Sequence, residues 1–538
     1  MTTPTAEEVL VARASFAQER MWMLEQMEDG APTYNVQVGL RFRGVFDAER
    51  LRRALDGVVA RHEMLRTTLD VLDGELVQLI APPAPVPLST LDLESETDPH
   101  DHLARVSRAE LLRSFDAAAE PPLRALLVRL GAEEHVLVVT LDHLAADAAS
   151  LRLLHAELTA GYTAGGAPAL PEPPIQYADY AEWQRDWLTG AELARQTGYW
   201  RERLSGSEPI PLGVVGPGER IPGSSGRPLP AELLSSLEDL ARGEGASLFS
   251  VLLAAYGLLL GRHAGRGDLV VGSLLSGRTR TEIEPLIGFF VNTVALRLDL
   301  AGHPSYRELI GAVAATTLDA HAHQDAPFEH VVAEINPPRE PGRQPFFNVM
   351  FQLVDIDRAE VELPGTVIEP LAMASEPPPV DLVLTVMSEV GGHQGVWDYD
   401  GRVLSAEAVA VLQDEYRRIL EEIAADPDRP VAGPVEAAVA ATPAVAGDAA
   451  ARPVAVAPVA EVSPMEAKVA AVWEDVLQRP GITAGDDFFD LGGHSLAATR
   501  MIIRLRSELG VRLPVRLIFD RPTLGGFAAG VTALVDAA

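Results

Sequence analysis

Apolar residues recur with helical or strand spacing along most of the first 430 residues. Spacing of three and four residues predicts amphipathic helices, and short runs of β-branched residues predict buried strands. The elements predicted in this way are a helix at 47–61, a strand at 136–141, a helix at 150–162, a buried helix at 244–260 and a strand at 268–275. Because helices alternate with strands, this large unit is predicted to have an α/β fold.

The segment after residue 462 is predicted to be wholly helical. Ser463 and Glu466 have the spacing of a capping box, and Pro464 occupies the first helical position. The apolar face that follows consists of Val469, Val472, Trp473, Val476 and Leu477. A second helix is predicted to start near Ser495 and to end before Gly510. Its inner side is predicted to consist of Ala498, Ile502, Leu505 and Leu509.

The two units are separated by a segment of different composition. Residues 434–462 are mostly Ala, Val and Pro, and the prolines interrupt any long helix. Few of their side chains are large enough to build a core, which indicates a semi-extended linker. We therefore expect a large domain at 1–433 and a small domain at 463–538.

Charge and composition exclude several classes of function. The chain of 538 residues has a formal net charge of −33 and no cysteine. The acidic balance argues against nucleic-acid binding. The lack of cysteine excludes disulfides, thiolate metal sites and cysteine nucleophiles, so no metal site is predicted. No apolar run of about 18 residues and no secretory signal pattern is visible. These features predict a cytoplasmic protein that needs neither a membrane nor nucleic acid.

Residues 486–496, DDFFDLGGHSL, resemble the phosphopantetheine attachment motif of peptidyl carrier proteins. Gly492 and Gly493 allow a sharp turn before the helix. Ser495 then lies at a helix N-terminus, where N–H groups and the helix dipole favour a phosphodiester. The resemblance implies that 4′-phosphopantetheine is attached covalently to Ser495. The alternative from the residues alone is that Ser495 is an ordinary capping serine.

The segment DHLAADAAS at 142–150, which follows the predicted strand, resembles the His-His-x-x-x-Asp-Gly motif of condensation domains of nonribosomal peptide synthetases. His143 matches the second histidine of the motif, and Asp147 matches the aspartate. Asp142 replaces the first histidine, and Ala148 replaces the glycine.

Further segments across residues 12–430 resemble the same family in the same order. They are SFAQERMW at 15–22, RHEMLRT at 61–67, YADY at 177–180 with WQ at 183–184 and YW at 199–200, IGFFVNT at 287–293, HQDAPFE at 323–329 and PFFNVMF at 345–351. The resemblance implies two chloramphenicol-acetyltransferase-like lobes in a V-shaped pseudo-dimer, an N-lobe at about 1–175 and a C-lobe at about 176–433, followed by a small helical-bundle carrier domain. A tunnel between the lobes is expected, with the histidine motif at its middle.

The resemblance also implies roles for single residues. The family joins two carrier-bound acyl groups, and two tethered substrates in one tunnel gain a large effective concentration. His143 is the expected catalytic residue, which accepts a proton, holds the amine or hydrogen-bonds the tetrahedral centre. Asp147 is expected to be structural and to pair with Arg278.

The two departures from the motif have consequences that the sequence leaves open. If the side chains of Asp142 and His143 face each other, the carboxylate raises the pKa of His143 and weakens it as a base. If Asp142 follows strand alternation, it points away from His143. Ala148 places a methyl group where glycine lets a substrate arm pass, and it is strained if the backbone there has a positive φ.

Three functions remain open from the sequence. The first is amide formation between an upstream carrier-bound donor and an aminoacyl acceptor on the downstream carrier, with ester formation as a variant. The second is heterocyclization, because Asp142, Asp147 and Ser150 also satisfy the Asp-x4-Asp-x2-Ser pattern, although the 15–22 and 287–293 segments favour condensation. The third is a non-catalytic platform that recruits tailoring enzymes to the carrier.

The linker stands where an elongation module usually has an adenylation domain. We therefore expect a separate adenylating enzyme to load Ser495 in trans and an upstream carrier to deliver the donor. A phosphopantetheinyl transferase with coenzyme A is the further partner implied. The resemblance implies a role in secondary metabolite, and specifically antibiotic, biosynthesis.

Overall fold

The computed structural model describes most of the chain. The described residues are 9–27, 34–166, 170–213, 216, 218, 220–302, 305–337, 343–355, 361–371, 373, 380–389, 392–431, 463–493, 495–511 and 513–537. The predicted linker at 434–462 lies outside them.

Helices and strands alternate up to residue 425, and in the described part of the chain after it the elements are all helices. The helices are α1 (Phe16–Met27), α2 (Ala48–Arg61), α3 (Pro99–Leu111), α4 (Ala148–Thr163), α5 (Tyr177–Trp187), α6 (Gly190–Leu204), α7 (Ala231–Gly243), α8 (Leu248–Ala264), α9 (Tyr306–Ala322), α10 (Phe328–Ile335), α11 (Ala406–Ala425), α12 (Pro464–Leu477), α13 (Ser495–Leu509), α14 (Arg516–Asp520) and α15 (Leu524–Ala537). The strands are β1 (Leu10–Arg13), β2 (Asn35–Gly44), β3 (Thr67–Leu72), β4 (Glu75–Ile80), β5 (Leu88–Asp92), β6 (Leu123–Gly131), β7 (Glu134–Asp142), β8 (Pro222–Leu229), β9 (Asp268–Leu275), β10 (Asn292–Asp299), β11 (Val349–Asp355), β12 (Val361–Leu363), β13 (Thr366–Leu371), β14 (Leu382–Glu389) and β15 (Gly392–Asp400).

The predicted elements of the large unit are confirmed, and all but the strand at 268–275 have shifted ends. Helix α2 begins after Asp47, whose carboxylate accepts the N–H groups of Glu49 and Arg50. Helix α8 begins later than predicted because Ser247 caps it by accepting the N–H of Ser250. The predicted strand at 136–141 is the centre of β7, which is fully buried from Val136 onward.

Two six-stranded sheets form the centres of two lobes. The N-terminal sheet has the order β12-β13-β2-β7-β6-β5, and the C-terminal sheet has the order β10-β9-β11-β14-β15-β8. Helices α2 and α4 pack together beside the first sheet, while α8 packs on α9 and α11 beside the second. Strand β7 therefore has paired neighbours on both sides and ends inside the molecule.

One segment corrects the lobe boundary expected from sequence. Strands β12 and β13 fall within the range assigned to the C-lobe, yet β13 pairs antiparallel with β2 of the N-terminal sheet, from Thr366 opposite Gly44 to Leu371 opposite Gly39. The edge of β2 has N–H and C=O groups that need partners, and β13 supplies them. The N-lobe is therefore built from two separate stretches of chain.

The C-terminal unit consists of α12, α13, α14 and α15 around its own core. The predicted capping box is confirmed, with Ser463 and Glu466 each accepting the other's backbone N–H. Trp473 packs edge-on against Phe488, with ring centroids 4.9 Å apart, and neither side chain is exposed. Gly510 follows α13 with φ +67°, as predicted for a helix end.

Among the described residues, no single helix is both long and apolar enough to cross a membrane. The bent pair α7 and α8 meets the length and composition criterion only when the two helices are taken together.

Candidate functional site

His143 lies in the short connection between β7 and α4. Strand β7 pairs with β2 and β6 along its two edges and is buried from Val136 onward, so it brings the motif into the interior. The N–H of His143 donates to the carbonyl of Tyr34 at 3.1 Å, which ties the connection to the start of β2. Its side chain is half-buried.

The ring of His143 has a defined tautomer. Nδ1 lies 2.6 Å from the carbonyl oxygen of Ala146, and because a carbonyl only accepts, Nδ1 carries the hydrogen. In the neutral ring the lone pair is then on Nε2. Burial lowers the pKa of His143 below its usual value. Phe289 packs edge-on against the ring, with centroids 5.0 Å apart. At neutral pH the residue is therefore an uncharged imidazole with a basic Nε2.

Asp142 points away from His143, so the second of the two alternatives from the sequence holds. Its Oδ1 accepts the N–H of Leu144 at 2.9 Å. The side chain of Glu25 on α1 also acts on the carboxyl group of Asp142 and lowers its pKa. Asp142 is only 3% exposed, and burial raises its pKa to about 6. The alternative in which Asp142 raises the pKa of His143 does not hold, because burial lowers that pKa and Asp142 is not among the groups that act on it.

Asp147 and Arg278 lie in contact across the two lobes. Nη2 of Arg278 is 3.1 Å from Oδ1 of Asp147. The same Oδ1 accepts the N–H of Ser150 at 2.8 Å, and Oδ2 accepts the N–H of Phe290 at 3.1 Å. Because Asp147 follows β7 and Arg278 follows β9, the pair joins the ends of two strands that belong to different sheets.

Ser150 extends this network. Its hydroxyl accepts the N–H of Gly288 at 3.0 Å and Nη2 of Arg278 at 2.9 Å, and it donates to the carbonyl of Gly288 at 2.7 Å. The side chain is fully buried. Ser150 therefore ties the first turn of α4 to the loop before β10.

Ala148 is not strained, because its backbone does not have the positive φ at which strain would arise. It is the first residue of α4, directly after the capping residue Asp147, and its side chain is exposed. Among the described residues other than glycine, positive φ values occur at Asp73, Asn336, Phe346 and Gln478. Alanine is an ordinary residue at the start of a helix, so the replacement of glycine has no backbone cost here.

A cleft opens between α1 and α10, the helices that face each other across the lobes. Its lining includes Phe16, Arg20, Phe328 and Glu329. Arg20 spans the cleft, with Nη1 donating to Oγ1 of Thr293 at 2.7 Å and Nε 3.2 Å from Glu329. Arg20 also faces the ring of Phe328 at 5.1 Å. The cleft therefore has one cation held between an acid and an aromatic ring.

The small domain lies against the same two helices. Helix α13 contacts α1 and α10, and Nη1 of Arg506 on α13 donates to Oε1 of Gln26 on α1 at 3.0 Å. The first residue of α13 is Ser495. The structure thus brings the helix that begins at Ser495 to the edge of the cleft between the lobes.

The turn before Ser495 fits an attachment site for phosphopantetheine. Gly492 has φ +96°, and a Cβ on Gly493 would lie 2.3 Å from the ring of Phe488. Both positions therefore need glycine. The turn leads directly into a helix of 15 residues, whose N-terminus favours a phosphodiester.

Sequence reasoning missed Glu25 and Gln26. Glu25 is the partner of Asp142, and Gln26 is the partner of Arg506. Both lie on α1 beyond the SFAQERMW segment, in a stretch without a motif, and their partners are far away in the chain. Only the register of α1 against the N-terminal sheet and α13 brings them together.

Comparison with known families agrees with this architecture. Residues 10–435 match the family model described as a condensation domain, and residues 467–531 match the one described as a phosphopantetheine attachment site. The isonitrile lipopeptide synthase of Mycobacterium tuberculosis is 36% identical over 436 residues, which cover 78% of this chain and 17% of that protein. Chondramide synthase of Chondromyces crocatus is 35% identical over 432 residues, which cover 78% of this chain and 11% of that protein. This chain therefore spans less than a fifth of the length of these relatives.

Solved structures also match most of this chain. The X-domain from teicoplanin biosynthesis is 28% identical, with a TM-score of 0.69 over 81% of this chain and 99% of that chain. The complex of the X-domain and OxyB from teicoplanin biosynthesis gives the same identity and TM-score over 80% of this chain and 96% of that chain. This chain therefore belongs to the condensation-domain family of nonribosomal peptide synthetases, with two chloramphenicol-acetyltransferase-like lobes followed by a helical phosphopantetheine attachment domain.

Proposed function

We propose that the chain condenses two carrier-bound substrates. An upstream carrier presents an acyl or peptidyl thioester, and the domain at 463–538 presents an aminoacyl acceptor, so that an amide bond forms. The observation that carries this proposal is the state of His143, a neutral imidazole with the lone pair on Nε2, held at the junction of the lobes. The position of α13 against α1 and α10 supports it.

Ser495 is the proposed attachment point of 4′-phosphopantetheine, which a phosphopantetheinyl transferase adds from coenzyme A. When attached, the group supplies a thiol that holds the acceptor as a thioester. Gly492 and Gly493 shape the turn, and the N-terminus of α13 stabilises negative charge at the attachment point.

His143 is the proposed catalytic residue. The acceptor amine attacks the carbonyl carbon of the donor thioester, a C–N bond forms, the C–S bond breaks, and the donor sulfur leaves as a thiolate. Nε2 of His143 accepts the proton that the nitrogen loses and passes it to the thiolate. Nδ1 stays bound to the carbonyl of Ala146, which keeps the ring in the tautomer that this transfer needs. Asp147, Ser150 and Arg278 hold the loop in place without contacting substrate.

The acceptor is proposed to arrive by loading in trans. The segment 434–462 between the two domains is far too short for an adenylation domain, which has several hundred residues. A separate adenylating enzyme therefore activates the amino acid and transfers it to the carrier.

A second candidate function is a platform that recruits a tailoring enzyme to the carrier. It is favoured by the 28% identity with the teicoplanin X-domain, which has been solved in complex with OxyB. The replacements at Asp142 and Ala148 are in keeping with it. The retained geometry of His143 favours condensation instead.

The two candidates are separated by intact-mass spectrometry. The chain is converted to its holo form, loaded with an aminoacyl group and mixed with a donor carrier. Condensation predicts transfer of the donor mass to the chain, slowed about 10²- to 10⁴-fold in His143→Ala and unchanged in His100→Ala, which removes an exposed histidine. No transfer with any donor, together with tight binding of an oxidase or hydroxylase, would establish the platform. Loss of a further water from the product would show heterocyclization.

A further inference from the structure

Helices α1 and α10 are each anchored in a different lobe. On α1, Trp22 lies in one buried cluster with Leu69 of β3 and Leu76 of β4, both in the N-lobe. On α10, Val331 and Val332 lie in the large core beside the C-terminal sheet. A change in the spacing of α1 and α10 is therefore a change in the relative position of the two lobes.

Arg20 joins these two helices across the cleft. Its Nε lies 3.2 Å from Oε1 of Glu329, and both side chains are only 16% exposed. Its Nη1 donates to Oγ1 of Thr293 at 2.7 Å, and its guanidinium lies 5.1 Å from the centroid of the Phe328 ring. Since water is largely excluded, the ion pair is stronger than one at the surface. All three partners belong to the C-lobe, so this one side chain ties the N-lobe to it.

Phe16 makes a second contact between the same helices. Its ring packs edge-on against that of His330 on α10, with centroids 4.9 Å apart. Phe16 and Arg20 are four residues apart and therefore lie on one face of α1. The contacts of both side chains with α10 are lost when the lobes move apart.

The carrier domain lies on both helices at once. Helix α13 contacts α1 and α10, and Arg506 of α13 donates to Gln26 of α1. The full contact surface for α13 therefore exists only at one spacing of α1 and α10. Closure of the lobes and docking of the carrier then stabilise each other, because coupling between two equilibria is reciprocal.

We propose that Arg20 is a positioning residue for the carrier domain. Its ion pair with Glu329 holds α1 and α10 at the spacing that α13 requires, so that closure of the lobes and docking of the carrier are coupled. The coupling concerns where the carrier lies. It therefore holds whether the chain condenses substrates or serves as a platform.

Two distances in the full chain test the coupling by single-molecule energy transfer. One pair of labels, at Arg52→Cys on α2 and Val411→Cys on α11, reports the separation of the lobes. The other pair, at Leu318→Cys on α9 and Arg516→Cys on α14, reports the position of the carrier. All four side chains are exposed, and the chain has no cysteine of its own, so labelling is selective.

Arg20→Gln is expected to raise the ratio of open to closed lobes about tenfold and to lower the ratio of docked to undocked carrier by up to the same factor, because a buried charged contact is lost. Glu329→Gln leaves Arg20 its other contacts and should shift both ratios less, in the same directions. The control is Arg201→Gln. It breaks an exposed ion pair with Glu334, which is also on α10 but within the C-lobe, and both ratios should stay unchanged.

Two further variants separate coupling from a purely structural role of Arg20. Arg20→Glu places two carboxylates together and should open the lobes, whereas Arg20→Glu combined with Glu329→Arg should restore both distances. Gln26→Ala weakens only the carrier contact, yet reciprocity predicts a shift toward open lobes. Open lobes with a normally docked carrier in Arg20→Gln, closed lobes in that variant, or a charge exchange that restores neither distance would overturn the proposal.

Discussion

Arg278 and Asp147 form a buried ion pair between the lobes, with Nη2 3.1 Å from Oδ1 and side chains 7% and 1% exposed. Nη1 of Arg278 also donates to the carbonyls of Ile283 at 2.7 Å and Leu286 at 2.9 Å. A buried pair stabilises a fold only when such further hydrogen bonds offset the desolvation of both charges. This pair meets that condition, and it fixes the loop that carries His143 to the opposite lobe.

Arg278→Ala is expected to destabilise the condensation domain by about 3–5 kcal/mol, because it leaves the carboxylate of Asp147 buried without its cation. The free energy of unfolding is measured in urea by circular dichroism. The control is Arg242→Ala, which breaks an exposed pair with Asp239, with side chains 74% and 70% exposed, and is expected to cost under about 1 kcal/mol. Equal effects of the two changes would show that the buried pair has no special role.

The imidazole of His143 is expected to titrate below the ordinary histidine value. Burial lowers its pKa, since the charged form loses hydration that the protein does not fully replace. Histidine-selective isotope labelling and NMR measure the titration, and the signal is assigned by its loss in His143→Ala. A histidine in a short unstructured peptide serves as the comparison. Protonation of His143 at a higher pH than an unperturbed histidine would contradict the structure.

Some features of the fold and of the site can be predicted from the sequence, and others cannot. His143, Asp147 and Arg278 lie in recognisable segments, and their proximity follows once the fold is known. The capping box at Ser463 and Glu466 is local in the chain, so its spacing was enough to predict it. These features depend either on residues that are close together in the chain or on a motif whose spatial arrangement follows from the fold.

The contacts that sequence did not reveal depend on the packing of distant segments. Sequence leaves the direction of the Asp142 side chain open because a residue at a strand end has neighbours on either face. Its interaction with Glu25 requires the register of α1 against the N-terminal sheet, which no local pattern encodes. The pairing of β13 with β2 requires the chain to cross from the C-lobe to the N-lobe. The alternation of helices and strands along the sequence does not predict such a crossing.

Ser495→Ala is expected to abolish the mass gain that follows incubation with coenzyme A and a phosphopantetheinyl transferase. The matched control is Ser463→Ala, which removes a helix cap in the same domain and is expected to cost about 1 kcal/mol without loss of modification. Intact-mass spectrometry distinguishes the two. Full modification of Ser495→Ala would show that another residue is the attachment point.

Gln26→Ala is expected to shift the carrier toward undocked positions about 2- to 10-fold, as the loss of one hydrogen bond to Arg506 implies. The chain has no cysteine, so cysteines introduced at the exposed Leu318 and Arg516 can be labelled selectively for single-molecule energy transfer. Arg52→Ala on α2 removes an exposed side chain and is the control. An unchanged distribution in Gln26→Ala would mean that the contact does not hold the carrier.

Asp142→Asn is expected to change how stability depends on pH. Burial raises the pKa of Asp142 from 3.8 to about 6 in the folded protein, so folding favours its protonated form. That contribution is complete below pH 3.8 and is lost as pH rises through about 6. The unfolding free energy of wild type, relative to the variant, should therefore fall by on the order of 3 kcal/mol between pH 4 and pH 7. Urea titrations at each pH measure this difference.

In the control Asp239→Asn, which removes an exposed carboxylate, the difference should stay within about 0.5 kcal/mol. A difference for Asp142→Asn that is constant or that grows with pH would show that burial does not raise the pKa of Asp142 in the folded protein.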